Sequence, residues 1–384
     1  RTREEIHKSL ELAVIKESDL QNVTQILYSA QEHDIEKHIK LLELDEHLIE
    51  AINKGDSLTF QGNKKDFAVL CTKNRTYDIR EAGTSNSCLL VPKLNLFEQT
   101  KVNTDQIIKY YNVCGIFHTY YETKECKPKW EKLLNILEPT SFKGIEYESS
   151  ICHELLYNWH RLQNEIQASE DELIQALNDY LIVNIDGYFR LISFEFEVRS
   201  LTLMLDILEE NSWALNEVDK EFTYESLKEF IFKSIFDAIF ARYAQVSEKS
   251  KKVTRYNEEK CCKTLAKVLL AVSPITEYKQ FMKSWHIGTP EKIEPKEEYL
   301  QGIALIKWNN STMTREVVSF TEANLPIDIN ERFNELFKAK NKWTVQEITP
   351  YIINLTTNKM NVNALLTKYA RCIIYCNIRH GILK

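Results

Sequence analysis

Cys372, Cys376 and His380 bring two thiols and an imidazole into one short stretch near the end of this 384-residue chain. Those are zinc-ligand types, and a structural zinc site takes four of them in a tetrahedron. No fourth ligand accompanies them, and the cysteines stand in an apolar run that reads as a hairpin. They are read as packed thiols, and no metal is expected. Cys152 and His153 offer a thiol beside an imidazole. Adjacent residues on a helix point apart, so they form no nucleophile–base pair. His33 and His38, with Asp34 and Glu36, read as a solvated face, as do the carboxylate pairs Glu258–Glu259 and Glu297–Glu298. GxGxxG, GxxxxGK[ST], HExxH, GxSxG and Cys-x-x-Cys are all absent, which argues against an NTPase, a dinucleotide enzyme or any enzyme with a recognisable site. No cofactor is expected.

The cations are more informative. Lys249, Lys251, Lys252, Arg255, Lys260, Lys263 and Lys267 stand among only Glu248, Glu258 and Glu259. That run reads as a solvated helix and linker, with a phosphate-binding surface as the sharper alternative. At the C-terminal end no Asp or Glu follows Glu347, while Lys359, Lys368, Arg371, Arg379 and Lys384 remain. A chain of net charge −7 that ends in a basic module has one end suited to a polyanion. Contacts from these five residues to phosphates would be salt-sensitive and indifferent to base sequence.

Gly 9 and Pro 8 are low for this length, which favours helix over an all-β or disordered chain. No apolar run is long enough to span a membrane; Phe230–Tyr243 is interrupted by Lys233, Asp237 and Arg242. Nine scattered cysteines, an odd count without framework spacing, point to reduced thiols and a nuclear or cytosolic home.

The elements that must position these residues fall into four domains: 1–125, 126–200, 201–324 and 325–384. The first opens with a helix over Thr2–Tyr28, striped by Ile6, Leu10 and Val14. Short turn-separated runs follow at Ile39–Leu44, Ser57–Phe60, Phe67–Thr72, Thr76–Arg80, Ser87–Val91 and Phe117–Tyr121, the pattern of an antiparallel sheet or small barrel. Beyond it one figure recurs three times: helix, polar turn, helix, hairpin. The first copy has the stripe Leu155, Leu156, Trp159, Leu162, a capping box at Ser169 and Glu172, and a hairpin turning at Asp186-Gly187. The second has Tyr278, Phe281, Met282 and Trp285, a helix over Glu298–Ile306, and hairpin arms flanking Asn309–Thr314. The third has a capping box at Thr344 and Glu347, then Ile348, Tyr351, Ile352, and Leu365, Leu366, Tyr369. The fold class expected is α+β, an N-terminal antiparallel β-domain followed by three tandem winged helices. Val198–Glu209 and Glu225–Arg242 read as first or spacer helices. Trp343 is expected to anchor a helix and Trp308 to stand exposed beside a hairpin.

Leu325-Pro326, Glu331-Arg332-Phe333, Lys342-Trp343-Thr344, Pro350-Tyr351 and Leu365 to Arg371 resemble the C-terminal signature of the Dcc family of sister-chromatid-cohesion proteins. Ala68–Cys71, Thr76-Tyr77-Asp78, Thr84-Ser85-Asn86 and Leu89–Pro92 resemble that family's N-terminal β-domain. Ile166–Glu170 and Gly187–Arg190 fall where the family has its first winged helix. The resemblance implies a non-ATPase subunit of the alternative, cohesion-linked (Ctf) replication factor C clamp loader. Its β-domain would join a small subunit and the large subunit's C-terminal tail in a composite barrel, through Tyr77, Asp78, Ser85, Asn86, Leu89 and Leu90. Its winged helices would touch the catalytic part of DNA polymerase epsilon and DNA, in the nucleus, with the sliding clamp reached indirectly. The alternative is a winged-helix scaffold that binds only proteins.

Overall fold

The computed structural model describes residues 2–16, 25–29, 38–63, 66–92, 94, 109–246, 253–326, 328–356, 360–375 and 378–383. Lys359, Lys384, Cys376, His33, Lys249, Lys251 and Lys252 lie outside them. The chain forms two compact units. One is Arg1–Pro128 together with Gln167–Asp171; the other is Lys129–Ile166 with Glu172–Lys384.

In the first unit α1 (Arg3–Leu12) is started by a capping box between Thr2 and Glu5 and buries no residue. It stops before Val14, whose φ of 57° leaves the helical region. Gln25–Tyr28 is instead a strand, β1. The stripe predicts a helix through Tyr28; among the described residues Ile6 and Val14 of that stripe are exposed and Leu10 is half-buried. A helix the sequence reading missed, α2 (Glu46–Lys54), is capped by Asp45 and closed by Gly55, and it buries Leu48 and Ala51. Then come β2 (Thr59–Gln61), β3 (Val69–Cys71), β4 (Thr76–Leu90), β5 (Lys109–Asn112) and β6 (Gly115–Cys126). Ile39–Leu44, read as a strand, contributes only a bridge from Leu42 to Tyr121. The two runs expected at Thr76–Arg80 and Ser87–Val91 are one strand, paired with β6 from Thr76↔Cys126 to Leu90↔Gly115 and irregular between Gly83 and Cys88. The four-stranded antiparallel sheet has the order β2-β3-β4-β6 and does not close into a barrel among the described residues. β1 and β5 form a separate parallel pair.

The downstream segment Gln167–Asp171 belongs to this unit. Gln167 Nε2 donates to the Gln61 and Phe67 carbonyls at 3.0 and 2.6 Å. The Ala168 N–H donates to Gln61 Oε1 at 3.1 Å and the Ser169 N–H to Thr76 Oγ1 at 2.9 Å.

In the second unit helices lead into a hairpin four times. α3 (Trp130–Leu137), α4 (Trp159–Glu165) and α5 (Glu170–Asp179) precede the hairpin β7 (Ile182–Ile185) and β8 (Tyr188–Leu191). Asp186 and Gly187, at φ 51° and 89°, make its turn, a backbone that glycine adopts without cost. α6 (Phe194–Glu210), β9 (Val218–Asp219), α7 (Lys220–Leu227) and α8 (Lys233–Tyr243) precede β10 (Ala244–Val246) and β11 (Val253–Tyr256). α9 (Glu258–Val272), β12 (Ile275–Glu277) and α10 (Tyr278–Ile287) precede β13 (Ala304–Asn309) and β14 (Thr314–Ser319). α11 (Ile329–Ala339), β15 (Trp343–Thr344), α12 (Val345–Ile352) and α13 (Val362–Tyr369) precede β16 (Ala370–Tyr375) and β17 (Ile378–Leu383). In the last three sets the leading strand lies beside the hairpin's final strand: β10-β11-β9, β12-β14-β13 and β15-β17-β16.

Three expectations change here. The helices read as spacers over 198–242 carry their own three-stranded sheet, so the layout recurs once more than the sequence reading counted. The stripe from Leu155 to Leu162 is not one helix: Tyr157 bridges to Phe189, and helix begins at Trp159 behind an Asn158 cap. Glu298–Ile306 is a 3-10 turn, Glu297–Leu300, running into β13. The two-residue alternation from Ala304 onward won there over helix propensity.

One continuous core runs from Phe142 to Val317, and a second from Leu305 to Ala370. Leu305 and Ala304, neighbours on β13, belong to different cores, so the start of this strand is buried from both faces. Trp285 and Trp343 are fully buried, with indole N–H groups donating to the carbonyls of Cys262 and Leu336 at 3.0 and 3.1 Å. Tyr243 Oη donates to Glu197 Oε1 at 2.6 Å and lies 2.8 Å from Thr264 Oγ1, while Arg242 Nε reaches the same Glu197 oxygen at 3.1 Å. This buried network ties α6, α8 and α9 together.

Candidate partner and nucleic-acid interfaces

The six β-domain residues singled out in the sequence all lie on β4, but not on one surface. Tyr77 is fully buried against Leu48 and Leu70, and burial pushes its phenol up to about 12. It is part of the core. Asp78 is half-buried, opposite Lys124 of β6. Ser85 and Asn86 are exposed at the irregularity, where the Thr84 hydroxyl donates to the Asn86 carbonyl at 2.6 Å. Leu89 is exposed and Leu90 half-buried, in the stretch re-paired with Ile116 and Gly115.

Among the described residues this domain has a small core cluster, Leu48, Leu70 and Tyr77, with Leu42, Leu58 and Ile79 packed around it, and Ala51, Val69, Cys71, Val113 and Phe117 are buried besides. Past Tyr77 no residue of β4 is buried. Phe60 and Phe67 are 63% and 95% exposed. The parallel pair β1–β5 exposes Ile26, Leu27, Tyr28 and Tyr110. Parallel strands are ordinarily covered on both faces, and two strands alone are marginal in water. The exposed Leu89 stands on β4, where the sequence places it; the β1–β5 pair is not legible there, because Gln25–Tyr28 reads as helix.

At the other end Lys368 closes α13 and Arg371 opens β16, both exposed and neither in an ion pair among the described residues. Lys368 Nζ sits 5.1 Å from the Tyr369 ring centroid. Arg379 lies on β17, paired with Ile374. Among the five cations expected to touch DNA, the structure therefore brings Lys368 and Arg371 together across one helix–strand junction. The frame behind them is rigid. Arg332, 4% exposed, donates from one terminal nitrogen to Glu322 at 2.6 Å and spreads its remaining bonds over the carbonyls of Pro326, Tyr351 and Leu325 at 2.6, 3.1 and 3.2 Å. Phe333 stacks on Tyr369 with centroids 5.2 Å apart. The Thr344–Glu347 capping box is present, and Lys340 Nζ lies 2.7 Å from Glu347. Burial would raise the Glu347 carboxyl, but Lys340 and the Thr344 N–H outweigh it and hold it below its ordinary value.

The motif residues in the middle of the chain are structural. Arg190, 3% exposed, grips Glu148 with both terminal nitrogens at 2.9 and 3.0 Å and reaches the Thr140 carbonyl. Lys260 and Lys263 of α9 are engaged with the Arg242 carbonyl and Glu259.

An antiparallel sheet that does not close among the described residues, in one unit, and serial helix-and-hairpin sets in the other define a two-unit protein of mixed helix and sheet. Residues 39–352 match the family model described as "Sister chromatid cohesion protein Dcc1", so the chain belongs to the Dcc1 family of sister chromatid cohesion proteins. It is 30% identical over 374 residues to sister chromatid cohesion protein DCC1 of Xenopus laevis, covering 97% of this chain and 95% of that protein. It is 31% identical over 378 residues to that of Danio rerio, at 97% and 95% coverage, and 21% identical over 408 residues to that of Saccharomyces cerevisiae, at 90% and 96%.

Proposed function

We propose that this chain is a non-catalytic scaffold of the alternative, cohesion-linked replication factor C clamp loader. Its β-domain takes strands from the small subunit and from the large subunit's C-terminal tail to complete a barrel. Its helix-and-hairpin modules act as winged helices, binding the catalytic part of DNA polymerase epsilon and DNA in the nucleus, and the sliding clamp is reached indirectly. The observation that carries this reading is the parallel pair β1–β5, which exposes Ile26, Leu27, Tyr28 and Tyr110, together with an antiparallel sheet that does not close among the described residues. Unpaired apolar edges template further strands.

The scaffold half is tested by co-expression with the small subunit and the large subunit's tail. The expected result is a soluble ternary complex in which the amides of β1 and β5 become protected from exchange. A well-behaved monomer whose β1 and β5 amides are unchanged by both partners sinks it. The DNA half is tested by fluorescence anisotropy of the full chain on single- and double-stranded oligonucleotides as salt is raised. Reversing Lys368 and Arg371 to Glu should weaken binding and flatten the salt slope by about 2, one unit per lost phosphate contact. The net charge of −7 favours a second reading, a scaffold that binds only proteins. Unchanged DNA affinity with lost partner binding would select it.

A further inference from the structure

We propose that the open edge of β13 is a strand-addition site for an extended, carboxylate-bearing peptide. β13 is the outer strand of the sheet β12-β14-β13, and among the described residues its six residues pair only with β14. Strand backbone points half of its N–H and C=O groups away from a single neighbour, so this edge offers a row of donors and acceptors that the ladder does not use. Ala304 to Trp308 line a cleft of about 730 Å³ inside the second unit, which Lys340, Trp343 and Tyr351 line as well. That volume is in the range of ligand-binding clefts, and a six-residue strand is roughly 20 Å long.

The frame is fixed before any peptide arrives. Leu305 packs into the core that contains Trp343 and Tyr351. Tyr351 Oη donates to the Phe320 carbonyl at 3.2 Å. Gly302, at φ 86°, lets the chain pass so close to Pro350 that an added Cβ would lie 2.9 Å from the proline ring. Trp308 is 57% exposed on the cleft, an aromatic anchor of the kind that dominates peptide interfaces.

Charge selects the occupant. Arg315 is matched by both oxygens of Glu297 at 3.0 Å, and Lys340 by Glu347 at 2.7 Å. Lys307 is half-buried on β13 with no ion pair among the described residues; Glu316, directly opposite, accepts instead from Asn309 at 2.7 Å. Glu298 on the lining is exposed and likewise unpaired among them, so water already serves it, whereas Lys307 is half-buried on the strand that the peptide would pair with and stands beside its backbone. Backbone pairing supplies affinity, Trp308 packing, and Lys307 a preference for Asp or Glu. This goes beyond the clamp-loader reading and does not rest on it.

The test pans a phage library of random peptides with carboxylates fixed at alternate positions against the full chain, then measures enriched peptides by fluorescence anisotropy. Amide exchange of Ala304–Asn309 should slow on binding. N-methylation of alternate peptide nitrogens should abolish binding on one register and spare it on the other. Lys307→Glu should weaken binding about tenfold, the worth of one charge-assisted bond. Trp308→Ala, at an exposed site, should also weaken it and serves if the first variant misfolds. The proposal is overturned if no peptide enriches over an unrelated control, if N-methylation leaves binding unchanged in both registers, or if the β13 amides do not respond. Tighter binding by Lys307→Ala would overturn it by making that lysine a guard against pairing. Competition by single-stranded DNA for the same peptide would overturn it in favour of a nucleic-acid site.

Discussion

Replacing Arg332 by Met keeps the length of the side chain and removes its charge and all four of its hydrogen bonds. Glu322 is 30% exposed and regains water, but the Leu325, Pro326 and Tyr351 carbonyls lose their shared donor. Leaving three carbonyls without their donor costs about 1–3 kcal/mol each where they stay buried, about 4 kcal/mol in all if part of the loss is recovered by relaxation. About 4 kcal/mol corresponds to roughly a thousandfold in an opening equilibrium at 1.4 kcal/mol per decade. The chain has several modules, so a global melt would blur the effect. Hydrogen exchange of α11 and α12 reads it locally. Protection there should fall about a thousandfold, with exchange in α6 and α8 unchanged. Arg332→Lys keeps the charge but not the planar fork, and should fall in between. A loss of less than about tenfold in the Met variant would refute the view that Arg332 holds α11, the 322–326 segment and the end of α12 as one frame.

Tyr243→Phe deprives Glu197 of its shortest bond and should destabilise the second unit by about 1–3 kcal/mol, read as a lower urea midpoint. Burial raises the phenols of Tyr77, Tyr243, Tyr256 and Tyr351 above their ordinary value of 10.0. Their folded-state pKa values exceed the unfolded ones, so their contribution is complete below about pH 10 and is lost as pH rises beyond it. Absorbance at 295 nm should show these four ionising only with alkaline unfolding. Gly302→Ala combines a left-handed φ with a contact on Pro350, and should speed exchange in β13 and α12 together. Gln167→Ala removes two bonds to the first unit and should lower its stability by about 1–2 kcal/mol, seen as faster exchange in β2 and β3.

Much of the candidate surface at the C-terminal end was legible. Thr344 with Glu347, the stripe Ile348–Tyr351–Ile352, and Lys368 beside Arg371 are local patterns, and the structure keeps each of them. Asp186-Gly187 fixed its hairpin for the same reason. Tyr77 was misjudged because a tyrosine on an alternating strand gives no sign of which face the sheet will cover. The middle set of elements was missed because Val218–Asp219 is two residues long and its pairing partner lies at Val253–Thr254, far along the chain.

What the sequence determined by itself is what neighbouring residues settle among themselves: caps, turns, helix stripes, the absence of recognisable catalytic spacing, and a basic, acid-free end. What only the tertiary structure decided depends on partners distant in the chain. Gln25–Tyr28 is a strand because Lys109–Asn112 pairs with it. Gln167–Asp171 belongs to the β-domain because Gln61, Phe67 and Thr76 receive it. β13 is both a core strand and an open edge because two modules meet across Leu305 and Ala304. A hydrogen bond between distant residues leaves no periodicity in either segment, so no reading of spacing could have found it.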